Sequence, residues 1–301
     1  MKTDWNGMDF RWLTRRVSAV RRAAHNRYGD IMSRFLAVTI FMILLAAGLF
    51  PIVSLPVFYL VCVILAIVYA VAFGLGLTFI QMQYFCRAAC RGGNGRCHAA
   101  FTFDDGPDPD VTPQILEVLA RRRIKATFFC IGSRIEAHGE LARKIVEEGH
   151  VLGNHSYRHA WWTNFFYGRR LYEEIERAQQ IIRTVTGRSP RYYHPPMGLT
   201  NPHLPRALKR AELLLAGWSF RSFDRLPLPP ERVIRRIARK TRNGSIILLH
   251  DGGARAERIV VILEGVIDAL QARGFEFVTL DQLLEKSSPP APHSQQKYSE
   301  H

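Results

Sequence analysis

Residues 35–85 contain no Lys, Arg, Asp, Glu or His, a run of 51 positions in a chain of 301. About 20 apolar helical residues cross the hydrocarbon core of a bilayer, so a run of this length has room for two spans and a turn. The stretch Phe50-Pro51-Ile52-Val53-Ser54-Leu55-Pro56 supplies the break. Proline lacks the N–H that a helix interior needs and pushes the preceding residue away from helical angles. Spans are expected at residues 33–50 and 57–80. A cleaved secretory signal would have a shorter apolar core followed by small residues. A hairpin buried in a soluble core would not stay uncharged for so long. A membrane hairpin fits the pattern best.

The net charge of +15 is divided by this run. Residues 1–34 carry eight Lys or Arg against three acids, a net of +5, and the remainder carries +10. A basic balance of this size raises the question of nucleic acid. No zinc-finger, RNA-recognition or helix-turn-helix pattern accompanies it, so no nucleic-acid partner is expected, and the charge reads as a solvated surface facing anionic lipid. Arg15, Arg16, Arg21, Arg22, Arg27 and Arg34 precede the run, and Arg87, Arg91 and Arg96 follow it before the first acid, Asp104. A two-span hairpin returns both ends to one side, and basic flanks around a short neutral turn make that side the cytoplasm. The expected location is the inner (cell) membrane, with the soluble part facing the cytoplasm.

The rest of the chain divides into a polar linker at residues 86–97, a soluble domain at 98–286 and a Ser-, Pro-, His- and Gln-rich tail at 287–301. The tail has little to bury and is expected to be disordered. The linker reaches at most about 40 Å when extended, which keeps the domain near the bilayer. Within the domain, β-type runs at 99–103, 126–131, 192–194, 213–216, 245–249 and 275–279 alternate with helical spacing at 113–123, 140–149, 169–185, 230–242 and 256–273. Thr112 before Pro113 reads as an N-cap. Alternating strand and helix gives an α/β domain with a parallel sheet or barrel, whose chemistry gathers at the strand ends. Of five cysteines, Cys62 falls in a span and Cys130 in a strand, while Cys86, Cys90 and Cys97-His98 form a juxtamembrane group. That group's spacing matches no standard zinc pattern, leaving acylation, a metal site or chance.

The polar groups of interest fall at those strand ends. Phe101-Thr102-Phe103 stops at Asp104-Asp105-Gly106-Pro107. Adjacent buried carboxylates repel unless a cation or proton compensates, although the same residues also make an ordinary turn. In His155-Ser156-Tyr157-Arg158-His159 two histidines four apart share a face if the segment is helical, and imidazole with carboxylate suits zinc. Tyr193-His194-Pro195-Pro196-Met197-Gly198 is stiffened by its prolines, which frees the Met197 N–H to face a cleft. Asp224 follows one strand and His250-Asp251 ends the apolar run Ile246-Ile247-Leu248-Leu249.

Taken in this order, the residues resemble the polysaccharide deacetylase family, the NodB-homology enzymes. The resemblance runs over about residues 99–284, and its specific parts are Thr102-Phe103-Asp104-Asp105-Gly106-Pro107 and His155-Ser156-Tyr157-Arg158-His159. It implies a distorted (β/α) barrel, which would stand behind the two-helix transmembrane hairpin read from residues 35–85, and a divalent metal, zinc first among them. It implies that Asp105, His155 and His159 hold the metal and that Asp104 is the base. His250 would be the acid, Asp224 would orient it, and the Met197 N–H would help hold an oxyanion. Two positions depart from the family pattern: His194 stands where arginine usually precedes the proline pair, and Arg225 stands where tryptophan usually follows the aspartate. His194 is expected to supply positive charge only when protonated, so His194→Arg is expected to be tolerated. The implied activity is hydrolysis of an N-acetyl or N-formyl group from an amino sugar, expected to be carried at the membrane on a polyprenyl phosphate. The alternatives are a deacetylase of exported polysaccharide or peptidoglycan and a membrane-bound pseudoenzyme.

Overall fold

The longest strand, β1 (His98–Gly106), is buried along its whole length, as a run of alanine and phenylalanine with both faces covered requires. In this computed structural model, residues 35–93, 97–160, 162–163 and 168–285 are described. The basic segment 1–34 and the tail 287–301 lie outside them. β1 pairs in parallel with β2 (Thr127–Cys130), β6 (Ser245–His250) and β7 (Glu276–Phe277). The sheet continues through β3 (Val151–Asn154) and β4 (Tyr192–Tyr193) to β5 (Leu214–Leu215), giving the order β5-β4-β3-β2-β1-β6, all parallel. The two edges turn back on each other through bridges Phe220↔Ile247, Ala89↔Ala216 and Arg91↔Ser245. The result is an α/β fold with the distorted barrel form expected of it.

Helices connect successive strands. α3 (Thr112–Arg121) follows β1, α4 (Gly132–Ala137) and α5 (Gly139–Glu147) follow β2, and α6 (Gly168–Thr186) follows β3. α7 (Leu204–Ala211), α8 (Pro230–Lys240), α9 (Ala256–Gln271) and α10 (Leu280–Leu284) complete the order. α3 turns Ile115, Leu116, Val118 and Leu119 inward, onto a core built from Phe103, Phe128, Leu249, Ile262 and Val266. Burying each such side chain contributes about 1.5–3 kcal/mol, and parallel strands covered on both faces gather several of them. Thr112 is not the N-cap of α3 but its first residue; its hydroxyl donates to Asp251 Oδ2 at 2.6 Å and accepts from the Asp108 N–H at 2.8 Å.

Of the two expected spans, one helix has the length and composition to cross a membrane. α2 (Leu55–Thr78) has mean hydropathy 2.8, with 6% of its most apolar window buried. α1 (Phe35–Leu49) is shorter than a bilayer span as described. It packs on α2 through Phe35 against Tyr69 and Phe73, and Thr39 Oγ1 lies 3.1 Å from Tyr69 Oη. Pro56 does not break a helix; it sits in the first turn of α2, where a missing N–H costs nothing.

The end of the apolar run and the first part of the expected linker, residues 80–92, pack into the domain. Ile80, Phe85, Cys86 and Ala88 are buried, and Ile80 and Cys86 share a core with Tyr193, Leu215, Trp218 and Leu248. Ala89 exchanges hydrogen bonds with Leu215 O and Gly217 N. Burial pushes the Cys86 and Cys90 thiols up to about 12. They act as small apolar groups, and Cys86, Cys90 and Cys97 form no metal cluster among the described residues.

His150, between α5 and β3, gives the fold an acid sensitivity. Its ring is enclosed, and Nδ1 accepts the Ala126 N–H at 3.0 Å. Burial, with the nearby Lys125 charge, lowers its pKa to about 4. The unfolded chain takes up this proton near the ordinary value of about 6.5. The stability that neutral His150 contributes is therefore present above about 6.5 and drains as pH falls towards the folded value, by about 3 kcal/mol in full. His150→Asn keeps an acceptor without titrating. The wild-type thermal midpoint is expected to fall more steeply than the variant's between pH 7 and pH 5.

Candidate active site

The C-terminal ends of β1, β3, β4 and β6 and the loop after β5 meet in one place. β1 delivers Asp104 and Asp105, both buried. His155 follows β3 directly, with its N–H on Cys130 O at 3.1 Å. The segment holding His155 and His159 is not helical: Ser156 and His159 have φ of 63° and 53°, and the Asn154 side chain accepts the Ser156 N–H at 2.9 Å. Ser156 Oγ in turn accepts the His159 N–H at 3.1 Å. This side-chain-to-backbone turn curls the loop so that the two rings stand 4.6 Å apart. The shared face inferred from helical spacing is thus produced by a tight loop.

Asp105 Oδ1 lies 3.3 Å from His155 Nε2 and 3.1 Å from His159 Nε2. The three ligand atoms are within 4.8 Å of one another, and no other group of this kind forms among the described residues. His155 Nδ1 lies 2.8 Å from His194 O. A carbonyl only accepts, so Nδ1 carries a proton, and loss of the Nε2 proton would turn a lone pair on Asp105. Two acceptors at that separation require a cation or proton between them. Backbone-anchored imidazole with a buried carboxylate is the donor set that divalent metals of the zinc type take, so the residues fit such an ion. Burial works to raise the Asp105 carboxyl, but the hydrogen bond and charges of His155, with those of His159 and His250, hold it well below the usual range. Burial and the neighbouring His155 lower His159 to about 4.

Asp104 sits deeper. Its Oδ2 is 3.4 Å from His194 Nε2 and 4.0 Å from His155 Nε2, while Oδ1 is buried without a hydrogen-bond partner among the described residues. Burial raises its pKa, and the charges of Asp105, Asp251 and Asp224 add to the rise. On β6, beside Asp104, His250 Nδ1 is 3.0 Å from Asp224 Oδ2, which also accepts the His250 N–H at 2.9 Å. Ser222 donates to Asp224 Oδ1 at 2.7 Å. Burial opposes ionisation of Asp224, yet the His250 hydrogen bond and charge lower its pKa. His250 is thereby held by Nδ1 with Nε2 free for chemistry. Met197 has φ 58°, and its N–H makes no hydrogen bond among the described residues.

The two departures from the family pattern have different outcomes. Arg225 Nη1 is 2.5 Å from Asp105 Oδ2, so it braces a candidate metal ligand, a role the sequence did not signal. His194 is buried between Phe129, His155 and Trp218, at ring separations of 5.3, 5.3 and 5.1 Å. Its Nδ1 donates to Ala216 O at 2.8 Å. Burial, with His155 close by, pushes its pKa well down, so it is not a source of positive charge. Arginine there would have to place a longer, charged side chain among these buried rings. His194→Arg is expected to cost about 1–3 kcal/mol by overpacking, seen as a lower thermal midpoint, while His194→Asn keeps the donor to Ala216 and stays folded.

Three further residues were not legible as site residues. Asn154 holds the histidine loop, with its side-chain amide on Ile175 O at 2.8 Å. Asp251 is wholly buried; burial raises it to about 7 against the Thr112 hydrogen bond, with the Asp105 charge adding to the rise. Gly106 is required beside it, since a Cβ there would stand 2.1 Å from Asp251 Oδ2.

Comparison with known proteins agrees with this geometry. The family model described as polysaccharide deacetylase matches residues 91–216. A peptidoglycan-N-acetylglucosamine deacetylase of Bacillus cereus is 33% identical over 187 residues, which is 62% of this chain and 87% of that protein. A chitooligosaccharide deacetylase of Bradyrhizobium is 33% identical over 194 residues, covering 60% of this chain and 88% of its own. The solved peptidoglycan deacetylase PdaC of Bacillus subtilis is 29% identical, with a TM-score of 0.57 over 64% of this chain and 91% of that one.

Proposed function

Because this chain belongs to the polysaccharide deacetylase family, we propose that it hydrolyses the N-acyl amide of an amino sugar, releasing the acid and a free amine. The relatives are named for N-acetylglucosamine in peptidoglycan and for chitooligosaccharide, so an N-acetyl hexosamine is the proposed acyl sugar. One observation carries this reading. The Asp105–His155–His159 cluster, the buried Asp104 and the His250–Asp224 pair converge at one end of the sheet.

In the proposed mechanism Asp105, His155 and His159 would hold a divalent ion, zinc by preference for this donor set. When bound, that ion supplies Lewis-acid polarisation of the amide carbonyl and acidifies water. Asp104 takes the proton from the attacking water; its burial and its three carboxylate neighbours make it a stronger base than an exposed aspartate. The free Met197 N–H is offered to the oxyanion of the tetrahedral intermediate. His250, steadied through Nδ1 by Asp224, delivers a proton from Nε2 to the departing amine. Arg225 fixes the outer oxygen of Asp105, and His194 packs beside Asp104 as a neutral ring.

The proposed setting is a cell membrane in which α1 and α2 insert together as a hairpin, an arrangement for which basic residues at both ends favour a cytoplasmic catalytic domain. The proposed substrate is then a membrane-borne acyl sugar, such as one on a polyprenyl phosphate, which a tethered enzyme meets at high effective concentration. The test is to incubate full-length protein in detergent, with zinc, against an N-acetylated polyprenyl-phosphate sugar, a chitooligosaccharide and peptidoglycan fragments, with product read by mass spectrometry. Faster turnover of the lipid-linked sugar is the expected result. Faster turnover of the soluble polymers would refute the membrane substrate and leave the deacylase standing; no free amine from any would refute the deacylase.

A further inference from the structure

The end of α2 is fastened to the loop that carries Met197. A helix leaves its last carbonyls without partners of its own, and here Thr200 supplies them. The Thr200 N–H donates to Leu77 O at 3.0 Å, and its hydroxyl makes a buried bond to Gly76 O at 2.9 Å. Gln81 Nε2 adds a bond to Trp218 O at 3.1 Å. Three residues before Thr200 stands Met197, and between them Gly198 lies flat on Trp218, where a Cβ would fall 1.9 Å from the indole. No slack separates the apolar helix from the wall of the active site.

The exposed surface has a matching pattern. Beyond the apolar run and its end at Met82, the large hydrophobic side chains exposed among the described residues are Trp162, Met197, Phe223, Leu226 and Val261. Val261 lies on α9. The other four lie on the loops after β3, β4 and β5, the loops that also carry His155, His194 and Asp224. Arg158 and Arg225 are on the same loops, with side chains 65% and 49% exposed. Apolar side chains interspersed with arginine suit the headgroup layer of a bilayer, where the first reach the acyl boundary and the second meet phosphate.

We propose that the mouth of the active site rests on the membrane surface, with Trp162, Met197, Phe223 and Leu226 in the headgroup layer and Thr200 holding the mouth to α2. This rests on α2 spanning a membrane and on the reading of the site as a deacylase of membrane-borne sugar. Its consequence is that an acyl sugar enters from the bilayer plane, while a long soluble polymer has to displace lipid first.

The test reads position and is independent of turnover. Full-length protein with Cys97→Ser is reconstituted in vesicles containing anionic lipid, and an environment-sensitive fluorophore is attached at Leu226→Cys or, separately, at Val261→Cys. Lipids bearing a nitroxide at the headgroup are then added as quencher. Several-fold stronger quenching at position 226 than at 261 is the expected result, and a label at Trp162→Cys repeats it should the first variant fail to fold. Equal quenching at all positions, or none at 226 and 162, would overturn the proposal. A quenched label on a protein without deacylase activity would overturn the function and keep the docking; turnover with an unquenched label would do the reverse.

Discussion

Asp104→Asn is expected to lower kcat by about 10²–10⁴-fold with one metal ion per chain retained. The amide side chain fills the same buried space but cannot accept a proton from water, and Asp104 stands outside the cluster of Asp105, His155 and His159. Asp105→Ala is expected to fail differently. It deletes the carboxylate that faces both histidine Nε2 atoms, at 3.3 and 3.1 Å, so bound metal falls to background along with activity. Metal content by elemental analysis beside kcat separates the two. If both variants kept metal and turnover, the division between base and ligand would be wrong.

The second large effect belongs to His250. His250→Gln removes the group placed to protonate the departing amine, and kcat is expected to fall by about 10²–10⁴-fold. The loss should depend on the substrate. An amide whose amine leaves readily without protonation needs the acid less, so an activated anilide should lose far less rate than an N-acetyl sugar. Asp224→Asn should behave as a milder version, because it leaves the ring in place but weakens the anchor at Nδ1, 3.0 Å away. Equal losses on both substrates would assign His250 to binding in place of proton transfer.

Much of this site was legible because its residues fall at the ends of strongly patterned strands. Phe101-Thr102-Phe103 ahead of two aspartates, and Ile246-Ile247-Leu248-Leu249 ahead of a histidine, announce both the strand and the point where it stops. β3 was not among the expected strands, because Val151-Leu152-Gly153-Asn154 is short and contains a glycine, a poor strand residue. The structure explains it: a Cβ at Gly153 would lie 2.5 Å from the Phe129 ring. The spacing of four in the histidine loop left its conformation open, because it suits a helix and also a turn that closes on itself, and Asn154 and Ser156 close this one. Arg225 and the packing of residues 80–91 were invisible for a different reason. Their partners lie far along the chain, at Asp105 and around Trp218, and no local periodicity encodes such a contact. The same packing limits how the protein can be shortened, since a truncation that takes Ile80 and Phe85 removes two buried core side chains.

If the site hydrolyses an amide with water, the oxygen of that water ends in the released acid. Full-length protein with zinc is given an N-acetylated sugar in water enriched in heavy oxygen, and acetate and free amine are measured together by mass spectrometry. The expected result is one heavy oxygen in each acetate released, one new amine for each acetate, and neither product from Asp104→Asn above background. Acetate without heavy oxygen, or no acetate and amine above the level of the Asp104→Asn control, would contradict the account.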